Sequence, residues 1–135
     1  MFRTVTTMLM APMMEDAPRM WTAADDPNKT WTKEELVARG EQVYTANCVA
    51  CHQATGKGLP GTFPALDGSQ QVLAPMKDQI LTVLNGRPGT AMAAFRDQLN
   101  DVEIAAVISY SRNAWGNAGK GQDPVVQPAD VKALR

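Results

Sequence analysis

A chain of 135 residues with nearly balanced charge, 13 Lys and Arg against 14 Asp and Glu, suits one domain around one core. No basic run stands out, which argues against a nucleic-acid partner. No stretch approaches the roughly 18 consecutive apolar residues of a membrane-spanning helix, so membrane insertion by this chain itself is not expected.

Met1 to Met14 carries Arg3 and a mildly apolar stretch, but it is short and interrupted by threonines and a proline. It also lacks the small-x-small cleavage site of an export signal. Residues 23–28, AADDPN, read as a polar, proline-bearing linker. Residues 1–28 are therefore expected to be a poorly ordered extension that stands outside the fold.

Thr32 with Glu35 three residues on forms a capping-box pattern and opens a helix. Leu36, Val37, Gly40, Val43 and Tyr44 recur at helical spacing and give it one apolar face, which runs into Cys48. From Gln53 to Gly68 the glycines and prolines mark a loop that must follow some other object's contour. A second helix is predicted over 75–85, with proline at its first turn, Gly86 as its stop, and Met76, Ile80, Val83 and Leu84 facing inward. A second loop spans 86–95. The last main helix begins near Asn100, paired with Glu103, and buries Ile104, Val107, Ile108 and Ser111, with Tyr110 and Trp115 adding aromatic bulk. Residues 29–116 are expected to form the domain, and 117–135 a tail with a short helical end. The fold class is all-α, about three main helices and two long loops. So little regular packing calls for something to pack around.

Cys48 and Cys51 are the only cysteines, His52 is the only histidine, and all three fall within five residues. Cys-Val-Ala-Cys-His is the haem c attachment pattern: two cysteines one helical turn apart face the two vinyl groups of one haem edge, and the next residue is directed at the iron. Zinc would use the same side chains but wants a fourth ligand, and none remains. A thioredoxin-like redox pair wants a βαβ setting, and a plain disulfide leaves His52 unexplained. A haem c also supplies the missing core.

With no second histidine, methionine is the natural sixth ligand. Of eight methionines, six lie at or before Met20 and Met76 falls on a helix face. Met92, in the loop Gly89–Phe95, is the candidate; its other reading is a buried core methionine. A His52/Met92 pair raises the reduction potential and fills the iron, favouring electron transfer over oxygen binding. Two rival classes stay open at this point: a haem-based sensor or gas-binding domain in which Met92 does not ligate, and a peroxidase-like enzyme, for which no distal histidine is available.

With CVACH, Pro64-Ala65-Leu66 and Thr90-Ala91-Met92 in this order, the chain resembles class I cytochromes c. The resemblance implies that the Pro64 carbonyl accepts a hydrogen bond from His52, that Leu66 lines the haem pocket, and that Gly40 and Tyr44 cross the last helix near Val107, Ile108 and Tyr110. The segments GEQVYTANCVACHQATGKGLPGTFPAL, VLNGRPGTAMAAF, IAAVISYSRNAWGN and VVQPADVKAL further resemble the cytochrome c domain at the C-terminus of subunit II of bacterial haem–copper oxidases. That implies an electron-transfer domain on the periplasmic side of the inner membrane. A cytochrome bc complex or a soluble cytochrome would be its donor and the oxidase's copper site its acceptor. No copper site can be built from the cysteines and histidine of this chain, so the expectation is an excised or truncated domain, or else a freestanding relative.

The loops expected to rim the haem edge are poor in charge: residues 46–66 hold only Lys57, and 85–95 only Arg87. This predicts apolar docking with weak dependence on ionic strength. Arg87 either neutralises a haem propionate or is a solvated loop arginine.

Overall fold

The computed structural model describes residues 25–135, and the segment Met1–Met14 with the first part of the expected extension lies outside the described residues. Among the described residues there are six helices: α1 (Lys33–Asn47), α2 (Val49–His52), α3 (Gln70–Leu73), α4 (Met76–Asn85), α5 (Asp101–Asn113) and α6 (Pro128–Leu134). No strand forms among them, only an isolated antiparallel bridge between Leu59 and Phe63. The expected all-α class, helices joined by long loops, is the observed one among the described residues.

The helix starts follow from local chemistry. Thr32 Oγ1 accepts from the Glu35 N–H at 3.1 Å while the Glu35 carboxylate accepts from the Thr32 N–H at 2.9 Å. Asn100 and Glu103 repeat this reciprocal bonding at α5, at 2.8 and 3.0 Å. Each box satisfies amide donors that a helix start leaves without intrahelical partners. Helix α4 starts after Pro75 and stops at Gly86, which takes φ +69°.

Helices α1 and α5 form the main packed pair, meeting at Gly40. A Cβ there would overlap the Ala106 carbonyl and the Tyr110 Cβ, so only glycine permits this approach. Leu36, Val43 and Tyr44 of α1 are buried with Val102, Ile104 and Ile108 of α5, and Ile80 and Leu84 of α4 join them. Met76 and Val83, also expected to face inward, are partly buried against this core.

Residues 117–135, expected as a tail, are instead anchored to the core through a few buried side chains. Val126 and Val131 are fully buried. Ser109 Oγ accepts from the Val126 N–H at 2.9 Å, and the Gln127 amide brackets the Trp31 backbone, accepting at 2.9 Å and donating at 2.8 Å. The cause is non-local: the apolar pair Val125-Val126 and Val131 reaches a groove against α5 that no short stretch of sequence reveals. The end of the expected linker is tied down as well, by Asp25 on Arg39 at 3.0 Å and by the Trp31 indole N–H on the Asp26 carbonyl at 2.9 Å.

Candidate functional site

Helix α1 ends at Asn47 and the chain re-enters a single turn, α2, with Cys48 at its start. The Cys48 carbonyl accepts from the Cys51 and His52 N–H groups at 3.2 and 2.9 Å. This turn brings Cys48, Cys51 and His52 to one wall of a cavity of about 620 Å³. The two cysteines are not bridged to each other, and burial, with the neighbouring Cys51, pushes the unattached Cys48 thiol up to about 11.

The loop after His52 folds back over this turn. The Gly58 N–H donates to the His52 carbonyl at 2.9 Å, and the Leu66 and Asp67 N–H groups donate to the Gly56 carbonyl at 2.7 and 3.0 Å. Gly58 has φ +62°, and a Cβ on it would strike the backbone of Phe63 and Pro64. The result is that Pro64 presents its carbonyl 2.9 Å from His52 Nδ1. A carbonyl can only accept, so Nδ1 carries the proton and Nε2 keeps its lone pair for a ligand. The imidazole is thereby fixed in the tautomer that binds metal through Nε2.

Met92 reaches the same cavity from the loop after α4. That loop is closed on itself: the Arg87 N–H donates to the Met92 carbonyl at 3.1 Å, and Thr90 Oγ1 donates to the Arg87 carbonyl at 2.7 Å. Its far end is pinned to α4 by the Phe95 N–H on the Val83 carbonyl at 2.9 Å. Leu66, Val83, Phe95, Val107 and Ile108 supply apolar walls, and Arg87 lies at the edge with its side chain exposed.

All seven residues singled out in the sequence thus border one cavity. Its volume falls in the range of cofactor sites, roughly 300–1,000 Å³. Two thiols, an imidazole with a free Nε2 and a thioether on a mostly apolar wall suit a covalently held haem better than a metal ion alone. Gln79 also lines the cavity and was not anticipated, although its position beside Ile80 on the inward stripe of α4 carried the signal.

Comparison with known proteins agrees. Residues 35–110 match the family model described as cytochrome c oxidase, cbb3-type, subunit III. Cytochrome c-552 of Thermus thermophilus is 39% identical over 114 residues, covering 73% of this chain and 85% of that protein. The cytochrome c subunit of alcohol dehydrogenase (quinone) from Gluconobacter oxydans (strain 621H) is 32% identical over 106 residues, 71% of this chain but only 22% of that subunit. The cbb3-type cytochrome c oxidase subunit CcoP of Azospirillum brasilense is 30% identical over 95 residues, 66% of this chain and 32% of that protein. The cavity that gathers the CVACH turn and the Met92 loop, the helical fold and these matches lead to one conclusion: this chain belongs to the cytochrome c family and carries covalently bound haem c.

Proposed function

We propose that Cys48 and Cys51 attach the haem, that His52 and Met92 are its axial ligands, and that the chain relays respiratory electrons to the copper site of a haem–copper oxidase. The single observation behind the ligand assignment is the shared cavity in which His52, tautomer fixed by Pro64, and Met92 both take part. The haem supplies a one-electron couple. The protein's part is to hold that couple dry, to keep the His52 ring from rotating, and to present a rim to partners. Leu66 and Phe95 exclude water from the cavity, and Arg87, at the edge, is suited to a propionate.

The copper site as acceptor is supported by the subunit II-like motifs alone, whereas an oxidase partner in general is also supported by the matching family model, which is named for an oxidase subunit III. On this reading the domain works on the periplasmic side of the inner membrane, and a bc-type complex or soluble cytochrome is its donor. Among the described residues no helix is long and apolar enough to cross a membrane. A freestanding carrier is the second reading, favoured by the 85% of cytochrome c-552 that the chain covers.

Absorption spectra of the purified holoprotein test the ligand set. Expected are sharp reduced bands, a pyridine haemochrome that survives acid–acetone extraction, a weak far-red methionine–iron band when oxidised, and little response to carbon monoxide. Met92→Ala should remove the far-red band and open the site to carbon monoxide while the haem stays attached. Retention of the far-red band in that variant would remove Met92 from the iron. Stopped-flow mixing of the reduced protein with an oxidase tests the acceptor.

A further inference from the structure

Behind the cavity wall lies a polar relay that the ligand set does not use. Gln79 and Ser111 line the cavity and are 7% and 3% exposed. Ser111 Oγ donates to the Ile108 carbonyl at 2.7 Å, and Gln79 Nε2 donates to Ser111 Oγ at 2.8 Å. Gln79 Oε1 in turn accepts from Arg112 Nε at 2.8 Å. The amide is therefore fixed with its oxygen toward Arg112 and its nitrogen toward the cavity side.

Arg112 is 3% exposed. Its Nη1 donates to the Ala74 and Gln122 carbonyls at 2.8 and 2.6 Å, and its Nη2 is buried with no hydrogen-bond partner. Every short-range acceptor is neutral, and among the described residues no carboxylate lies within ion-pair distance. Nη1 also donates to the Asp123 carbonyl at 3.4 Å, and the Asp123 carboxylate, which accepts from the Met76 N–H at 2.9 Å, acts on the guanidinium through space. An arginine remains cationic in such a setting. Stability gives little reason for it, because a buried charge without a direct ion pair and an orphan donor both cost free energy. What the arrangement does provide is a positive charge with no direct ion-pair partner among the described residues, one side chain behind the wall of a mostly apolar cavity.

Such a charge favours whichever state of the cavity's occupant is more negative. For a one-electron carrier that is the reduced state, and a poorly screened interior lets the field reach it. We infer that Arg112 sets the reduction potential: its guanidinium, held behind the wall by Gln79, stabilises the reduced form of the site. This rests on the reading of the cavity as the haem site. Arg112 is a positioning and electrostatic residue, not a ligand.

Potentiometric titration of the holoprotein tests it. Arg112→Gln should shift the reduction equilibrium about tenfold toward the oxidised form, about 59 mV for one electron. Arg112→Lys, which keeps the charge, should stay close to wild type. Equal falls in both variants would mark Arg112 as structural and overturn the inference, as would an unmoved potential in Arg112→Gln. Should Arg112→Gln not fold, Gln79→Glu neutralises the cation at constant shape. It should lower the potential similarly, and no change would overturn the inference. Spectra recorded alongside separate the two failures. Loss of the haem or of the far-red band in the wild type refutes the site itself, whereas intact spectra with an unmoved potential refute only the role of Arg112.

Discussion

Gln53, the residue after His52, sits at φ 68°, ψ 160°, backbone that is open to glycine and costs other residues about 1–3 kcal/mol. Its surroundings over-determine it. The Tyr44 hydroxyl donates to its carbonyl at 2.5 Å, its N–H donates to the Val49 carbonyl at 2.9 Å, and the Gly56 N–H donates to its carbonyl at 3.0 Å. The strained peptide ends α2 abruptly, so the chain can reverse and bring Pro64 back to His52. Gln53→Gly removes the strain at some cost in chain entropy, and should raise stability by about 1 kcal/mol. Gln53→Ala keeps the strained φ and should give no gain. Urea midpoints of the two variants check this; a gain in both, or in neither, would show that no strain is held there. The same scale shows what could be read in advance. CVACH is a local pattern whose chemistry is written in five residues. Arg112 was not found, because a charged side chain reads as surface until α4, Ala74 and residues 122–123 are seen to close over it. Its spacing with Ile104 and Ile108 placed it on the buried stripe all the same.

At the scale of elements, the α1–α5 crossing is decided at Gly40. A methyl group there meets the Ala106 backbone of a buried helix, and backbone cannot step aside as a flexible side chain can. Gly40→Ala gains helix propensity, roughly 1 kcal/mol, but separates the two helices that carry most of the core. Overpacking typically costs about 1–3 kcal/mol, and with backbone as the obstacle the upper end applies, so a net loss of about 2 kcal/mol is expected. Chemical denaturation should show a lower midpoint at unchanged slope. A variant as stable as wild type would mean that the crossing has slack. The helix starts at Thr32 and Asn100 were legible because a capping box is complete within four residues. The packing of α6 was not, because it depends on Ser109, Trp31 and Gln127 meeting across up to 96 positions of chain.

For the molecule as a whole, function depends on how the rim of the cavity meets a partner. Ala91 and Ala93, which line the cavity, are exposed, as are Ala50, Pro60 and Ala94 in the same loops and turn. Leu59, bridged to the cavity-lining Phe63, is the one large exposed hydrophobe among the described residues, at 46%. Against these stand only Lys57 and Arg87, and the net charge of the chain is −1, too little for long-range steering. Encounter must then rely on burying small apolar groups, which is brief because the area is small and is insensitive to salt because nothing charged is neutralised. Across a roughly tenfold rise in ionic strength, the second-order rate of electron transfer to an oxidase should change less than about threefold. Leu59→Asp should slow transfer at low concentration and leave the potential unmoved, since it acts on docking and lies outside the cavity wall. A steep fall in the wild-type rate with salt would mean that charge on the partner or on residues 1–24 governs docking, and the apolar rim would then be incidental.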